Sequence, residues 1–542
     1  MVDIVLSTIN AKWIHPSLAL RLLKANLGEY ENRCEIVEFA LRQSLEEKLA
    51  ILAGFRPKIL GLSVSIWNHK ASLELLKELR KTRDDPCAAP SAAEPGAGRP
   101  VVVLGGPEVS YLPEESEIIR YADFVIRGEG EKAFAELCTH ILGGGKRSDI
   151  PSPGAGRIID GGVSDPAAIH TAYRFYSDED LRRKLIYVEA SRDCPFACAF
   201  CQSAIKASGS GYPAIGTETP RRKTVREFPL DGFLSDMDCL LTRLVSVRPN
   251  AAPGSSRPVI KFLDRSFNAA IPRALSIMEF FLEKASRIPA GFQLHFEMVP
   301  SLFPPELTKT ISRFPPETLR LELGIQSFNP EVCAAIGRPS RPEKELETLG
   351  MLRAQTNAIV HADLIAGLPG EDIVSFGEGF DRLWRALTAT PRSPSSGAVP
   401  PFEIQLGILK GLPGTPLRKL DEQFGMTYSS EPPYEVIETA ALGKADLDRL
   451  RNFARFWELV VNRPWKTGNR AAGLRCSRNR AAENPEKSAA GRSSENPAAA
   501  LLVPGKPVFW PFMERSEKLF RRFGRNWGID REALRAALDE EL

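Results

Sequence analysis

Two series of short apolar runs alternate with amphipathic segments along this 542-residue chain, and the alternation restricts the folds that it can adopt. Strand-like runs that alternate with helical segments are typical of parallel sheets with helices on both faces. The first series has five runs, at residues 3–7, 34–39, 58–64, 101–105 and 123–128. It predicts a doubly wound, flavodoxin-like or Rossmann-like α/β domain over residues 1–145, which receives ligands at the carboxyl ends of its strands.

The second series has six strand-like runs, at residues 185–190, 259–264, 292–299, 319–327, 359–367 and 402–409. Six βα units predict a partial (β/α)6 barrel of the TIM type over residues 181–420, with the active site at the carboxyl ends of the strands. Residues 146–180 are expected to connect the two domains. Beyond residue 420 the alternation stops, and residues 421–542 are predicted to form a mostly helical C-terminal extension.

Four stretches rich in Ala, Pro and Gly interrupt these patterns, at residues 82–99, 246–258, 390–401 and 466–500. They lack the periodicity of helices or strands, so we expect surface insertions. The stretch at 466–500 is predicted to be disordered.

The charge balance and the hydropathy argue against several classes of protein. The chain has 71 Lys and Arg residues against 68 Asp and Glu residues, and this net charge of +3 argues against a dedicated nucleic-acid binder. No stretch approaches about 18 consecutive apolar residues, so no membrane span is expected. The start of the chain lacks a basic region followed by an apolar one, so we expect no signal peptide and a cytoplasmic protein.

The nine cysteines divide into six scattered residues and a group of three, Cys194, Cys198 and Cys201, in the sequence CPFACAFC. The group directly follows the first strand of the barrel pattern, which places it on a loop at the catalytic end. Three thiolates at these spacings can hold an iron–sulfur cluster and leave one iron without a protein ligand. A structural zinc site would need a fourth Cys or His nearby, and the CxxC pair lacks a thioredoxin pattern. Spacing and placement therefore favour an iron–sulfur centre over inert core cysteines.

The ligand of the first domain stays open between a nucleotide, a flavin and cobalamin. No GxGxxG follows the first strand, so the dinucleotide fingerprint is missing. Polar and small residues at the strand ends are the candidate contacts, because ligands of doubly wound sheets bind there. They are Asn10, His15, Ser63, Ser65, Gly105, Gly106, Pro107 and Glu129.

The cysteine motif, with an aromatic residue before its last cysteine, resembles that of the radical S-adenosylmethionine (radical SAM) enzymes. The two alternating domains together resemble the cobalamin-dependent branch of that superfamily, over about residues 1–420. The phrases that carry the resemblance are VVVLGGPEVS, DFVIRGEGE, LELGIQSFNPEV, HADLIAGLPGED and QLGILKGLPGTPLR. The phrase EPPYEVIETA, at residues 431–440, resembles the C-terminal extension of an uncharacterised subgroup.

The resemblance implies a metal centre and two further cofactors. In that family the three cysteines bind a 4Fe-4S cluster, S-adenosylmethionine binds the open iron, and its reductive cleavage gives a 5′-deoxyadenosyl radical. The implied activity is a cobalamin-dependent methyltransferase that acts on an unactivated carbon of a small molecule, with a flavodoxin or ferredoxin as electron donor. The alternatives are a radical cyclase or rearrangement enzyme without net methyl transfer and a non-enzymatic cobalamin or iron–sulfur sensor.

The resemblance also implies roles for residues at the barrel strand ends. Contacts to S-adenosylmethionine are expected from Phe200, Glu297, Gln326, Ser327 and Asp363. A second-strand Gly-Gly-Glu signature for the methionine amino group is absent, and Asp264 or Asn268 are the candidate substitutes. Arg338 either reaches a carboxylate or is an exposed loop residue.

The strand-end residues of the first domain become candidate cobalamin contacts under this resemblance. The DxHxxG motif that supplies a cobalt ligand in many cobalamin proteins is absent. His15 is therefore either a lower ligand of cobalt or a polar residue at a helix start. A structural or surface role is expected for His69.

Overall fold

The computed structural model describes residues 2–81, 99–145, 157–205, 225–248, 257–288, 291–389, 401–463 and 502–540. The predicted insertion at 466–500 lies outside the described residues, as do residues 82–98, 249–256 and 390–400 of the other three insertions.

The first sheet has six parallel strands in the order β2-β1-β3-β4-β5-β6. The strands are β1 (Ile4–Asn10), β2 (Cys34–Ala40), β3 (Ile59–Ser63), β4 (Val101–Gly105), β5 (Phe124–Arg127) and β6 (Ile158–Asp160). The helices between them are α1 (Leu18–Ala25), α2 (Leu45–Phe55), α3 (His69–Lys81), α4 (Glu117–Arg120) and α5 (Glu131–Leu142). Every residue of β1 is buried, because this strand lies inside the sheet with helices on both faces. The chain order reverses between β1 and β3, and doubly wound sheets bind ligands at such a switch point.

The expected number of five strands is wrong by one. The sixth strand, Ile158–Asp160, lies in the predicted connector and pairs in parallel with β5. Three residues are too few to produce a hydrophobic pattern, and only their neighbour in the sheet makes them a strand.

The second sheet is a partial barrel of six parallel strands in the order β14-β13-β12-β11-β10-β7. Its strands are β7 (Ile186–Val188), β10 (Val259–Phe262), β11 (Gln293–Met298), β12 (Leu319–Gln326), β13 (Ile359–Ala366) and β14 (Phe402–Ile408). A short antiparallel pair, β8 (Ser191–Arg192) and β9 (Arg226–Glu227), flanks the cysteine loop. The helices around the barrel are α6 (Asp178–Arg183), α7 (Leu230–Ser246), α8 (Ile271–Arg287), α9 (Pro305–Ser312), α10 (Pro330–Ala335), α11 (Pro342–Gln355) and α12 (Ile373–Thr388).

Alternate residues of the barrel strands have opposite character. In β11 and β12 every second residue is apolar and buried, and the residues between them are half-buried and, apart from Gly324, polar. Because successive side chains of a strand point to opposite faces, one face packs on the helices and the other forms a polar interior.

The C-terminal extension covers the β14 edge of the barrel. It consists of α13 (Asp421–Phe424), the hairpin β15 (Thr427–Tyr428) and β16 (Val436–Glu438), α14 (Lys444–Trp457), α15 (Phe509–Phe523) and α16 (Arg531–Glu540). Trp457 packs edge-on against Phe380 of α12, with ring centroids 4.8 Å apart. The Asn462 side chain bonds both the N–H and the carbonyl of Ile404 on β14, which satisfies an exposed sheet edge.

No helix within the described residues is long and apolar enough to cross a membrane.

Candidate active site

The three cysteines lie on the loop that leaves β8 at the carboxyl end of the barrel. Two neighbouring loops fix its backbone: the Ala199 N–H donates to the Ile336 carbonyl at 2.8 Å, and the Leu417 N–H donates to the Ala199 carbonyl at 3.0 Å. Cys198 is buried, whereas Cys194 and Cys201 are half-buried. The cysteine loop therefore lies at the carboxyl end of the barrel and is held there by two neighbouring loops.

One cationic group and one hydroxyl group lie near two of these thiols. Burial raises the pKa of Cys198 to about 11, and Arg338, with Nη1 3.9 Å from the sulfur, opposes that rise. Burial also raises the pKa of Cys194, against donors that include the Ser266 hydroxyl at 3.7 Å. Thiolates in such a site need nearby positive charge, and Arg338 supplies it.

Three cysteine thiolates are a donor set that an iron–sulfur cluster takes in proteins. Among the described residues, no three His, Cys, Asp or Glu side chains gather around one ion position. A cluster spaces its ligands more widely than a single ion does, because each cysteine binds a different iron. Cys194, Cys198 and Cys201 would hold that cluster.

Asp264 and Asn268, the candidate substitutes on the second barrel strand, are occupied within the protein. The Asp264 carboxylate accepts the Ala190 N–H at 3.0 Å and the Ser191 hydroxyl, and burial raises its pKa to about 6. The Asn268 amide exchanges hydrogen bonds with the Val299 backbone. Both residues therefore stabilise loops at the barrel mouth. Asp264 does so at Ala190 and Ser191, just before the cysteine loop.

Two predicted site residues present unpartnered polar atoms at the barrel mouth. Gln326 Oε1 and Asp363 Oδ1 are buried and have no hydrogen-bond partner in the described part of the protein. Burial, together with the nearby charges of Glu322 and Glu297, holds the pKa of Asp363 well above its usual range. Buried acceptors without donors are costly, and these two atoms are available to accept hydrogen bonds from a ligand.

The other predicted S-adenosylmethionine contacts have protein partners. Glu297 lies 3.3 Å from Arg265 and 3.7 Å from Lys261. Ser327 is buried and donates its hydroxyl to Glu371, a carboxyl whose pKa burial raises to about 7. Phe200 is partly buried and packs against the barrel core.

Arg338 is not an exposed loop residue. Its guanidinium donates to the carbonyl of Gly324 on β12 and approaches the Cys198 sulfur. It therefore connects a barrel strand to the cysteine loop.

The charged interior of the barrel was not anticipated from the sequence. Glu322 accepts from His295 Nε2 at 2.7 Å and from Lys261 Nζ at 3.1 Å. These donors outweigh burial and lower the pKa of Glu322 to about 2. Deeper in the barrel, Glu403 pairs with Arg320 at 2.7 Å and with His361. The sequence pattern that could have predicted this charged interior is the two-residue alternation in QLHFEM and LRLELGIQ, which indicates strands with one polar face.

The carboxyl edge of the first sheet is organised by Asn68, which the sequence analysis did not single out. Asn68 is fully buried, and its Nδ2 donates to the Ile9 carbonyl at 3.0 Å, while its Oδ1 accepts the Ser65 N–H at 2.8 Å. It therefore ties the end of β1 to the end of β3, the switch point of the sheet.

The predicted Gly105–Gly106–Pro107 turn lies beside the end of β3. Ser63 and Gly105 are register partners, and the Val64 N–H donates to the Gly105 carbonyl at 2.8 Å. Gly106 has φ +101°, and a Cβ there would lie 2.5 Å from the Val64 carbonyl oxygen. Only glycine permits this approach of the two loops.

Three other predicted cobalamin contacts are engaged with protein groups, and their roles toward cobalamin stay predictions. Asn10 lies 3.4 Å from Glu38. His15 shares a 2.7 Å hydrogen bond with the Tyr187 hydroxyl, and burial lowers its pKa, with smaller contributions from Lys12 and Lys261. The Glu129 carboxylate binds arginines of the barrel domain.

A buried carboxylate joins the first domain to the C-terminal extension. Glu108 is fully buried and accepts from His69 Nδ1 at 2.8 Å and from the Tyr434 hydroxyl at 2.5 Å. His69 therefore has the structural contact that was expected of it. Nearby at the strand ends, Trp67 and Ile14 are 52% and 40% exposed, which leaves apolar surface beside the switch point.

Comparison with protein families identifies the first domain. Residues 4–138 match the B12-binding family, described as a B12 binding domain. This match settles the choice between nucleotide, flavin and cobalamin for that domain in favour of cobalamin.

Two curated relatives match part of the chain. One is the cobalamin-dependent radical SAM methyltransferase TokK from Streptomyces tokunonensis, 23% identical over 362 residues. The other is a 2-(S-pantetheinyl)-carbapenam-3-carboxylate methyltransferase from Streptantibioticus cattleyicolor, 26% identical over 360 residues. Each match covers 61% of this chain and 45% of the relative, so the chain spans less than half the length of these relatives.

Solved structures share the architecture. The cobalamin-dependent S-adenosylmethionine radical enzyme OxsB, with aqua-cobalamin bound, has a TM-score of 0.61 at 14% identity, over 84% of this chain and 67% of that one. TsrM from Kitasatospora setae, with cobalamin and a 4Fe-4S cluster bound, has a TM-score of 0.53 at 18% identity, over 83% of this chain and 85% of that one.

The fold class is thus a B12-binding domain followed by a partial barrel with a three-cysteine loop. The family match, the two relatives and the shared fold confirm the predicted resemblance to cobalamin-dependent radical SAM enzymes.

Proposed function

We propose that this chain is a cobalamin-dependent radical SAM methyltransferase that methylates an unactivated carbon of a small molecule. The observation that carries the proposal is the placement of the three thiols at the mouth of a partial barrel, in a chain that begins with a B12-binding domain. The curated relatives are both named as methyltransferases, which supports methyl transfer as the type of reaction. The proposed units are residues 1–145, 181–420 and 421–542, with a connector at 146–180 whose strand β6 completes the first sheet.

The chain's own residues divide the work of holding the cofactors. Cys194, Cys198 and Cys201 would hold the cluster, and the buried acceptors of Gln326 and Asp363 would bind donor groups of S-adenosylmethionine. The ends of β1, β3 and β4 would receive cobalamin. When bound, the cluster supplies the electron that cleaves S-adenosylmethionine, and cobalamin carries the methyl group.

Arg338 and Arg265 set the charge around the thiols. Arg338 lies 3.9 Å from the Cys198 sulfur, and Arg265 lies close enough to Cys201 and Glu297 for both to raise its pKa. The positive charge of Arg338 opposes the rise that burial causes in the pKa of the Cys198 thiol. We also propose that a flavodoxin or ferredoxin supplies the reducing electron.

Anaerobic reconstitution tests the function. The full chain is loaded with iron, sulfide and hydroxocobalamin, reduced with dithionite in the presence of S-adenosylmethionine, and assayed for 5′-deoxyadenosine by mass spectrometry. We expect product from the unaltered chain and from Cys239→Ala, an exposed cysteine on α7, and none from Cys198→Ala. Product from Cys198→Ala at the unaltered rate would contradict the proposal.

Product mass then tests the methyl transfer itself. Incubation with S-adenosylmethionine deuterated at its methyl group is expected to give a small-molecule product that carries the deuterated methyl. Formation of 5′-deoxyadenosine together with a product that has gained no methyl group relative to its substrate would indicate a cyclisation or rearrangement instead.

A further inference from the structure

Two arginines of the barrel domain lie opposite each other beside the cysteine loop. Arg192 of β8 and Arg226 of β9 are register partners in the short antiparallel pair. Like charges directly opposite each other destabilise a strand pair unless a counter-charge lies between them. Because Arg192 precedes Cys194 by two residues, this pair is the arm on which the cysteine loop begins.

The counter-charge comes from the first domain. Glu129 follows β5, and its Oε2 lies 3.0 Å from Arg192 Nη1 and 3.1 Å from Arg226 Nη1. Its Oε1 accepts from Arg226 Nη2, and the Ser164 N–H donates to Oε2 at 2.8 Å. One half-buried carboxylate thus bridges two guanidinium groups of the other domain.

The contact continues to the residue before the first cysteine. Asp193 has φ +74°, a backbone conformation that is unfavourable for residues with a side chain. Arg226 Nε donates to Asp193 Oδ2 at 2.6 Å and holds it there. Two side-chain contacts and one peptide bond therefore lead from Glu129 through Arg226 and Asp193 to Cys194.

The two arginines depend on Glu129 to different degrees. Arg192 also binds Glu131 at 2.6 Å and Glu189 at 2.8 Å, so it keeps counter-charges without Glu129. Arg226 would keep the Asp193 carboxylate and the Ser164 carbonyl. Loss of Glu129 therefore acts mainly through Arg226.

We propose that Glu129 is a positioning residue, through which the B12-binding domain holds the arm of the cysteine loop in the conformation that the cluster requires. The inference rests on the proposed function, but only for the identity of the cluster. It assigns to Glu129 a role toward the barrel, in place of a direct contact to cobalamin.

Hydrogen–deuterium exchange of the full chain, without added iron, tests the positioning directly. In Glu129→Gln we expect the amides of residues 191–205 to exchange about tenfold faster, because loss of a partly buried charge contact promotes local opening. The control Glu117→Gln removes a surface ion pair to Lys77 in the same domain and should change that exchange less than about twofold. Unchanged exchange of residues 191–205 in Glu129→Gln overturns the proposal.

A double-substitution cycle separates positioning from general destabilisation. Arg226→Gln alone should raise the exchange of the loop, and the double variant should show less than the product of the two single effects, because the Glu129–Arg226 contact is lost in either single variant. Effects that multiply would overturn the proposal. If Glu129→Gln does not fold, Arg226→Lys keeps the charge but loses the paired geometry, and loop exchange equal to that of the unaltered chain overturns the proposal.

A spectroscopic readout connects the arm to the cluster. After reconstitution, Glu129→Gln should show a shifted electron paramagnetic resonance signal of the reduced cluster, with hydroxocobalamin affinity within about twofold of the unaltered chain. A signal and an iron content equal to those of the unaltered chain count against the proposal. Because the exchange experiment needs no turnover, it holds or fails independently of S-adenosylmethionine cleavage.

Discussion

Substitution of Asn68 is expected to lower both the stability of the first domain and its affinity for cobalamin. Its fully buried amide joins the Ile9 carbonyl, the Thr8 hydroxyl and the Ser65 N–H. Asn68→Ala leaves the Ser65 N–H without this acceptor and opens a void of side-chain size. An unsatisfied buried donor costs about 1–3 kcal/mol and each lost hydrogen bond about 1 kcal/mol, so we expect a loss of about 3 kcal/mol.

The loss should be local to the switch point between β1 and β3. If cobalamin binds there, a loop destabilised by about 3 kcal/mol weakens its apparent affinity by up to about 100-fold. Titration with hydroxocobalamin, followed by absorbance, measures the affinity, and urea unfolding measures the stability.

Asn26→Ala is the matched control. The Asn26 side chain bonds the Leu22 carbonyl and the backbone of His170, beyond the end of α1 and away from the strand ends that face the ligand. It should lower stability by about 1–2 kcal/mol and leave the cobalamin affinity within about twofold. Asn68→Ala with unchanged affinity and unchanged unfolding would refute the reasoning.

Three further substitutions have defined outcomes. Gly106→Ala should weaken hydroxocobalamin binding at least about tenfold, because the new Cβ would lie 2.5 Å from the Val64 carbonyl oxygen. Gly144→Ala is the control and should leave binding unchanged, because Gly144 also has a positive φ but a Cβ there would have no neighbour within 4 Å. The pKa of Glu322 is lowered to about 2, so its ionised form stabilises the fold by about 3 kcal/mol above pH 4.5. This contribution is lost as the pH falls toward 2. Glu322→Gln should therefore flatten the fall in unfolding free energy over that pH range. Trp457→Ala should lower the unfolding free energy by about 3–5 kcal/mol, since the ring is buried among aromatic residues, while Trp527→Ala, 67% exposed, should leave the melting temperature nearly unchanged.

Much of the fold was readable along the chain. The apolar runs predicted eleven parallel strands in two sheets, and each of these strands is present with its centre where the run lies. The strand Ile158–Asp160 escaped because three residues carry no period, and only the neighbouring β5 gives it a hydrogen-bonding partner.

The site was readable where its residues are close in sequence. Cys194, Cys198 and Cys201 fall within eight residues, so their spacing alone indicates a shared centre. Glu108 and Tyr434 are 326 residues apart, and no local pattern relates a buried carboxylate in one domain to a hydroxyl in the C-terminal extension. The contacts of Glu129 with Arg192 and Arg226 are of the same kind.

The sequence by itself determined the two alternating sheets and the three-thiol loop, because hydrophobic period and ligand spacing are local properties of a chain. The tertiary structure alone decided which polar groups remain unpaired at the barrel mouth, such as Gln326 Oε1 and Asp363 Oδ1, and which are occupied, such as Asp264 and Asn268. The physical reason is that pairing, burial and the resulting pKa depend on neighbours from distant strands, which only the packed fold brings together.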